Sequence, residues 1–132
     1  MKYLLDTNIC IYIINKKPLK VFDHFSGLVT GEIGVSALTV AELEFGAAKS
    51  QARARNEEAL ARFLSPLEVV PFGEGAARHY GVMRAALERK GTPIGAVDML
   101  IAAQALSVGA TLITNDLGEF RRVPGLRCKN WV

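Results

Sequence analysis

Short apolar runs alternate with longer helical patterns along the whole chain, and this alternation limits the folds that are available. Five runs have the length and composition of strands: KYLLD (2–6), EIGVSA (32–37), LEVVPF (67–72), TLIT (111–114) and LRCKNW (126–131). Strands that alternate with helices form mostly parallel sheets covered by helices. We therefore predict an α/β domain of three layers, with a central, mostly parallel sheet of four to five strands flanked by helices.

The segments between these runs predict the helices. Thr7 or Asn8 is available to cap the first helix, TNICIYIIN, since both side chains accept hydrogen bonds from a helix start. Pro18 fits the first turn of a second helix that runs to about Leu28, and Ser36 can cap a third. Further helices are predicted in QARARNEEALARFL, in GEGAARHYGVMRAALERKG and from Ala96 to Val108.

The length of the chain, 132 residues, is typical of one domain, and we predict a single domain over residues 1–132. No run combines the length and the flanks of a membrane span, and the first residues have no signal-peptide pattern. We therefore expect a cytoplasmic protein with no membrane contact. The net charge of +3 is compatible with a polyanionic partner but does not identify one.

Single carboxylates stand in apolar segments that contain no other charge. Asp98 is the only charged residue between positions 91 and 115, Asp6 the only one between 3 and 15, and Glu42 the only one between 33 and 43. After Asp98, the next charge is Asp116. Because a buried charge is costly unless it is paired or bound to a metal, these four positions are candidates for a site.

Three of these acids have predicted positions that favour convergence. Asp6 and Asp116 each follow a predicted parallel strand, at the edge of the sheet where ligands bind in open α/β folds. Asp98 lies in the first turn of its helix, where the helix dipole stabilises a carboxylate. Taken singly, Asp6 and Asp116 fit equally well as turn or cap residues, and Asp98 fits as an acid that only complements the dipole.

Glu42 lies in the middle of a predicted helix. Leu38 and Phe45 precede and follow it by four and three residues, so the three side chains share a helix face. We therefore expect Glu42 to point into the protein. The alternative, in which Glu44 points inward and Glu42 faces solvent, stays open at this point.

Carboxylates that share one pocket repel each other, and a divalent cation removes that repulsion. Oxygen ligands without histidine or cysteine select Mg²⁺ or Mn²⁺. His24 and His79 have no metal-ligand spacing, so a zinc site is not predicted. Two such ions, or one ion with further contacts through water, suit the hydrolysis of phosphodiesters.

The segments around the four acids resemble the PIN-domain ribonucleases, and within them the VapC-type toxins of bacterial toxin–antitoxin pairs. The resemblance covers essentially the whole chain and is carried by LLDTNICIYII, VSALTVAELEFGAAKS, RKGTPIGAVDMLIAAQA and LITNDLGEFRRVPGLRCKNW. The run RKGTPIGAVD and the terminal F-x-R-V-x-G-L-x-x-x-x-W are similar to a subgroup that cuts initiator tRNA in its anticodon loop.

The resemblance implies a PIN-like fold and an endoribonuclease toxin, dependent on Mg²⁺ or Mn²⁺, that inhibits translation. It implies that the catalytic and metal-binding residues are Asp6, Glu42, Asp98 and Asp116. It implies supporting roles, such as holding an acid or ordering a water, for Thr7, Asn8, Thr114 and Asn115. Glu119 is a candidate for a further outer acid, although a surface residue of this type is more often simply solvated. The alternative function is a non-catalytic RNA-binding or regulatory PIN-like domain.

The resemblance also implies partners. A VapB-type antitoxin would hold the toxin inactive, the toxin would form homodimers and larger complexes with the antitoxin, and operator DNA would bind only through the antitoxin. The RNA substrate, a tRNA in the subgroup, needs cationic contacts for its phosphates. Candidates for these contacts are Lys16, Lys17, Lys20, Lys49, Arg53, Arg55, Arg121 and Arg122.

Overall fold

A five-stranded parallel sheet forms the centre of the computed structural model, which describes residues 1–132. The strands are β1 (Tyr3–Leu5), β2 (Ile33–Ser36), β3 (Glu68–Val70), β4 (Thr111–Ile113) and β5 (Cys128–Lys129). Their order in the sheet is β3-β2-β1-β4-β5, and every neighbouring pair is parallel. The predicted fold class is therefore confirmed, with each strand shorter than the apolar run that predicted it.

Seven helices connect and cover the strands. They are α1 (Thr7–Asn15), α2 (Leu19–Ser26), α3 (Ala37–Lys49), α4 (Arg53–Leu64), α5 (Glu74–Lys90), α6 (Ala96–Val108) and the short α7 (Leu117–Phe120). Six of them were predicted, but α7 was not, because four residues are too few to show a helical period. Pro18 lies directly before α2 instead of inside its first turn. None of these helices combines the length and the apolarity that crossing a membrane requires.

The start of α1 differs from the prediction. Its cap residue is Asp6, whose side chain accepts a hydrogen bond from the Thr7 backbone N–H at 2.8 Å; the prediction of Thr7 or Asn8 was wrong. The reason is that β1 ends at Leu5 and α1 begins at Thr7, so the single residue between them, Asp6, occupies the cap position with extended backbone angles. Ser36 does cap α3, since its hydroxyl accepts from the Leu38 N–H at 2.9 Å.

The sheet is buried on both faces, as parallel sheets normally are. Leu4 packs in the core that contains residues of α5 and α6, whereas the next residue, Leu5, packs in the core on the α1, α2 and α3 side. The same alternation separates Leu112 from Ile113 on β4. Alternate residues of the two central strands therefore hold the two helical layers in place.

The strand order reverses between β1 and β4. The chain builds outwards through β2 and β3 on one side of β1, and then through β4 and β5 on the other. At such a reversal the connections leave in opposite directions, which opens a crevice at the carboxyl ends of the strands. Asp6 follows β1 and Thr114 follows β4 at this edge.

Candidate active site

A concave pocket of about 190 Å³ lies at this edge of the sheet. Seven residues line it, and none of them is basic: Asp6, Thr7, Asn8, Glu42, Asp98, Asp116 and Phe120. The four acids that the sequence singled out therefore face one pocket. They come from the ends of β1 and β4, the middle of α3 and the first turn of α6.

Asp6 is the most buried of these acids, and its side chain is held by two hydrogen bonds. Its side chain accepts the α1 N–H of Thr7, and its Oδ2 accepts a hydrogen bond from the Thr114 hydroxyl at 2.9 Å. The Thr114 hydroxyl in turn accepts the N–H of Asp116 at 3.0 Å. Thr114, which is fully buried, therefore fixes one acid and the backbone of another.

Glu42 is held by α1. The Thr7 hydroxyl donates to Glu42 Oε1 at 2.7 Å and lies 3.2 Å from the hydroxyl of buried Thr39. Glu42 is exposed but lines the pocket, whereas Glu44 is exposed and forms no hydrogen bond. The alternative in which Glu44 replaces Glu42 is not what the structure shows.

Asp98 lies beside a second acid that comes from α7. The carboxyl group of Glu119 lies beside that of Asp98, and Glu119 Oε1 accepts the backbone N–H of Gly95 at 2.5 Å. A Cβ atom on Gly95 would lie 3.1 Å from Asp98 Oδ2 and 3.4 Å from Glu119 Oε1. The absence of a side chain at Gly95 therefore leaves room for the two carboxyl groups.

The loop after β4 supplies the remaining polar contacts. Asp116 caps α7, where its Oδ1 accepts the N–H of Glu119 at 3.2 Å. The amide of Asn115 donates to the Tyr12 hydroxyl of α1 at 3.0 Å. Asn8 lines the pocket without a side-chain hydrogen bond to the protein. Asp116 is therefore a cap residue and a pocket residue at once.

The proton affinities of the acids reflect burial and repulsion. Burial raises the pKa of Asp98 to about 7, and the hydrogen bond to Glu119 and the negative charges of Glu119, Asp6 and Asp116 act in the same direction. Burial also raises the pKa of Asp6, although its hydrogen bonds from Thr114 and Thr7 oppose the increase. Both shifts show that the pocket lacks a compensating positive charge.

The donor set fits a hard divalent cation. Every ionisable group that lines the pocket is a carboxylate, and oxygen ligands of this kind suit Mg²⁺ or Mn²⁺. No three Asp, Glu, His or Cys side chains stand close enough together to chelate one ion directly. The arrangement therefore suits Mg²⁺, which typically takes one or two carboxylates directly and keeps several waters.

Comparison with known sequences identifies the family. The sequence model of the PIN domain family matches residues 3–126. This chain belongs to the PIN domain family. The family resemblance found in the sequence is thereby confirmed.

Relatives of this PIN domain match it over nearly their whole length. A protein of Salmonella typhimurium named tRNA(fMet)-specific endonuclease VapC is 44% identical, over 99% of this chain and 98% of the relative. Ribonuclease VapC2 of Rickettsia felis is 42% identical, again over 99% and 98%. A crystal structure of DNA-bound VapBC from Salmonella typhimurium superposes with a TM-score of 0.93 at 44% identity, covering 100% of this chain and 99% of that one.

The eight lysines and arginines that are predicted to contact RNA phosphates have different surroundings in the PIN domain. Arg53 forms an exposed ion pair with Glu57 at 3.3 Å, and Arg122 donates to the Pro93 carbonyl at 2.8 Å. The side chains of four cations form no hydrogen bond or ion pair with the protein: Lys17, Lys20, Arg55 and Arg121. The ammonium groups of the remaining two rest over aromatic rings: Lys16 over Phe22 and Lys49 over Phe45.

Two parts of the site were not assigned from the sequence. Glu119 was left undecided as a surface acid, since its contact with Asp98 depends on the unpredicted helix α7. An apolar groove of about 280 Å³ between α1, α3 and α4 was also missed. Ile11, Ile14, Leu43 and Leu60 contribute to its walls. The only indication of this groove in the sequence is the run CIYII (10–14), which is apolar on more than one face of its helix.

The orientation of Phe45 contradicts the sequence prediction. Phe45 was expected to share an inward face with Glu42, but its side chain is 65% exposed. The buried face of α3 instead consists of Thr39, Leu43 and Ala47, at spacings of four. Glu42 lies at the border of that face, which is why it reaches the pocket while remaining open to solvent.

Proposed function

We propose that this PIN domain is a divalent-metal-dependent endoribonuclease and the toxin of a toxin–antitoxin pair, which hydrolyses RNA phosphodiester bonds and thereby inhibits translation. The observation that carries the proposal is the pocket lined by four carboxylates and by no basic side chain. The names of relatives more than 40% identical over nearly the whole chain support an RNA substrate. The name tRNA(fMet)-specific endonuclease supports initiator tRNA in particular.

The proposed ligands of the cation are Asp6, Glu42, Asp98 and Asp116, one or two of them directly and the others through water. A bound cation of this kind stabilises the charge that develops on a phosphodiester and lowers the pKa of water. The protein supplies a fixed orientation for the acids: Thr114 holds Asp6, and Thr7 holds Glu42. Fixed carboxylates need little reorganisation during the reaction, which is the basis of electrostatic preorganisation.

We infer that water is the nucleophile. No serine, cysteine or histidine lines the pocket, and the hydroxyl of Thr7 is already hydrogen-bonded to Glu42. A covalent intermediate requires a nucleophile that a neighbouring base activates. The chain therefore offers the groups for direct hydrolysis and not those for a covalent enzyme intermediate.

The apolar groove is the proposed binding site of a VapB-type antitoxin. Thr7 and Glu42 line the groove and also the acidic pocket, so the two cavities adjoin. An apolar segment that occupies the groove would bring its next basic side chain to the carboxylates, with which it could form charge-assisted hydrogen bonds. Such a segment would neutralise the acids and block substrate at the same time. The match to a VapBC structure supports a partner of this type.

The decisive experiment compares single amide variants of the pocket with a matched control. Asp6→Asn, Asp98→Asn and Glu42→Gln should each reduce RNA cleavage in Mg²⁺ or Mn²⁺ by at least about 100-fold, as loss of a preorganised catalytic group typically does. Glu44→Gln, on the exposed side of the same helix as Glu42, should cleave like the unmodified chain. Mapping of RNA ends after induced expression identifies the substrate.

Two results would overturn the proposal. Full activity in folded Asp98→Asn protein would show that the carboxylates of the pocket are not needed for cleavage. Folded, metal-loaded protein that binds RNA without cleaving it would favour the non-catalytic RNA-binding alternative. Cleavage confined to another RNA would retain the nuclease and reject initiator tRNA as its target.

A further inference from the structure

Phe45 is an exposed aromatic side chain one helical turn after Glu42. Its ring is 65% exposed, although burial of an aromatic side chain is strongly favourable. Phe45 lines neither the acidic pocket nor the apolar groove. The ring is therefore free of both sites while lying on the same helix as one of the pocket's acids.

Lys49 extends this arrangement by a further turn. Its ammonium nitrogen lies 4.9 Å from the centroid of the Phe45 ring, and Lys49 forms no ion pair with any carboxylate. On an α-helix, residue 49 points within roughly 20° of residue 42 and lies about 10 Å along the axis from it. The cation and the ring therefore stand beside each other on the side of α3 that leads to the pocket.

The residue between these positions leaves the path open. Gly46 follows Glu42 by four residues, and a Cβ atom there would meet nothing within 4 Å. No side chain at position 46 therefore separates Glu42 from Lys49 along the helix surface. A strand of nucleic acid that runs from the pocket along α3 therefore meets no side chain at position 46.

We propose that Phe45 and Lys49 form a nucleotide-binding subsite of the nuclease. The Phe45 ring stacks on a base next to the scissile phosphodiester, and Lys49 binds a neighbouring phosphate. Exposed aromatic rings combined with cations are the usual means by which proteins hold single-stranded nucleic acid. This inference rests on the proposed ribonuclease function and adds the residues that position the substrate.

The kinetic test uses a single-stranded RNA oligonucleotide that the unmodified chain cleaves in Mg²⁺. Phe45→Ala should raise KM about 5- to 100-fold with kcat nearly unchanged, since that range corresponds to the loss of one stacked base. Phe45→Trp should retain the low KM, because it keeps an aromatic face. Phe45→Leu should behave like Phe45→Ala, because an aliphatic side chain fills space without a π-face.

A second measurement locates the stacked base. Oligonucleotides with one abasic position each should reproduce the higher KM at a single position near the cut. At that position the abasic change and Phe45→Ala should not add, as expected for two partners of one contact. Lys49→Ala should raise KM and reduce the salt dependence of binding, because a phosphate contact is lost.

Other results would overturn the subsite. An unchanged KM for Phe45→Ala would exclude a role in substrate binding. If Phe45→Ala and Phe45→Leu instead alter the mass measured by light scattering or weaken antitoxin binding at unchanged KM, Phe45 is a protein contact. If the unmodified chain cleaves no RNA, the nuclease proposal fails; equal binding of the oligonucleotide to the unmodified chain and Phe45→Ala would then reject the subsite, whereas loss of binding would retain it.

Discussion

The carboxyl groups of Asp98 on α6 and Glu119 on α7 lie side by side against Gly95, where a Cβ atom would be 3.1 Å from Asp98 Oδ2 and 3.4 Å from Glu119 Oε1. Two carboxyl groups can share a hydrogen bond only while one of them holds a proton. The pair thus joins the first turn of α6 to α7, and the raised pKa of Asp98 makes this contact sensitive to pH and to cations.

The stability of the metal-free protein should fall as pH rises from about 4 to about 7. The pKa of Asp98 is about 7 in the folded chain against an ordinary value of 3.8, so the folded state binds this proton more tightly than the unfolded state. The resulting stabilisation is complete below the unfolded pKa and is lost as pH rises through the folded pKa. We expect a change in the free energy of unfolding of about 1 kcal/mol, since solvent screening reduces the full effect. Urea denaturation in EDTA at several pH values measures it.

Asp98→Asn provides the control for this pH dependence. The variant should show a flatter profile and a higher stability than the unmodified chain at pH 8 without metal, because an uncompensated charge is removed. Mg²⁺ should stabilise the unmodified chain at pH 8 more than at pH 5, where protons compete for the carboxylates. An equally steep profile in Asp98→Asn would assign the titration to other groups.

Gly95→Ala should impair cleavage without unfolding the protein. The backbone angles of Gly95, φ −55° and ψ 148°, are accessible to alanine, but the new Cβ would lie 3.1 Å from Asp98 Oδ2. The carboxyl groups must therefore move, and a displacement of this kind in a catalytic group costs about 10- to 100-fold in rate. Rates on an RNA oligonucleotide and thermal melts measure the two effects.

Gly73→Ala is the matched control for Gly95→Ala. Gly73 also precedes a helix, α5, and a Cβ atom there would meet nothing within 4 Å. The two variants should lose similar stability, because glycine is preferred over alanine at helix caps, but Gly73→Ala should keep its full cleavage rate. Equal rates for the two variants would show that the contact with Asp98 does not matter.

Thr114→Val should reduce stability and activity together. Valine has nearly the shape of threonine but removes the hydroxyl that donates to Asp6 and accepts from the Asp116 N–H. Because Thr114 is fully buried, these groups lose a partner where water cannot easily replace it, at a cost of about 1–3 kcal/mol. Thr114→Ser retains the hydroxyl and should keep most of the activity. Full activity in a stable Thr114→Val protein would contradict the positioning role.

Ile11→Glu should weaken antitoxin binding and leave RNA cleavage unchanged. Ile11 lines the apolar groove and is partly exposed, so a charge there disturbs the groove more than the fold. We expect the Kd for a VapB-type antitoxin to rise at least about tenfold, because the loss of one buried apolar contact usually weakens binding by this amount. Leu19→Glu places the same charge on an exposed apolar position of α2 and should bind normally. Unchanged binding by Ile11→Glu would show that the antitoxin binds another surface of the protein.

The alternation of apolar runs and helical patterns was sufficient to predict the parallel sheet and six helices. That pattern is a direct consequence of burial on both faces of the strands, as Leu4 and Leu5 illustrate. The isolated acids could also be predicted from the sequence, because a charge in an apolar run is costly unless it has a partner or a bound ion. Their convergence on one pocket depends on the strand order, which no local pattern specifies.

The errors in the sequence predictions also have physical causes. The hydrophobicity of Phe45 predicts an inward position on α3, yet α3 buries Thr39, Leu43 and Ala47 instead. Small side chains allow close packing between helices, so the hydrophobicity of single residues did not define the face. Glu119 could not be assigned because its contact with Asp98 spans two helices, and α7 is too short to be recognised.

The buried contact between Gln104 and Ser36 should be a large contributor to stability. Gln104 is fully buried on α6; its carbonyl accepts the Ser36 hydroxyl at 2.5 Å and its amide donates to the Val70 carbonyl at 3.0 Å. Gln104→Leu removes the acceptor of the Ser36 hydroxyl and the amide that donates to the Val70 carbonyl, and should cost about 1–3 kcal/mol in urea denaturation, whereas Gln51→Leu at an exposed position should cost little. A double-mutant cycle with Ser36→Ala should give a coupling of about 0.5–3 kcal/mol. Ser36 caps α3, which carries Glu42, and α6 carries Asp98, so the destabilised variants should also cleave RNA more slowly. If the effects of the two substitutions on stability are additive, other contacts hold the two helices in register.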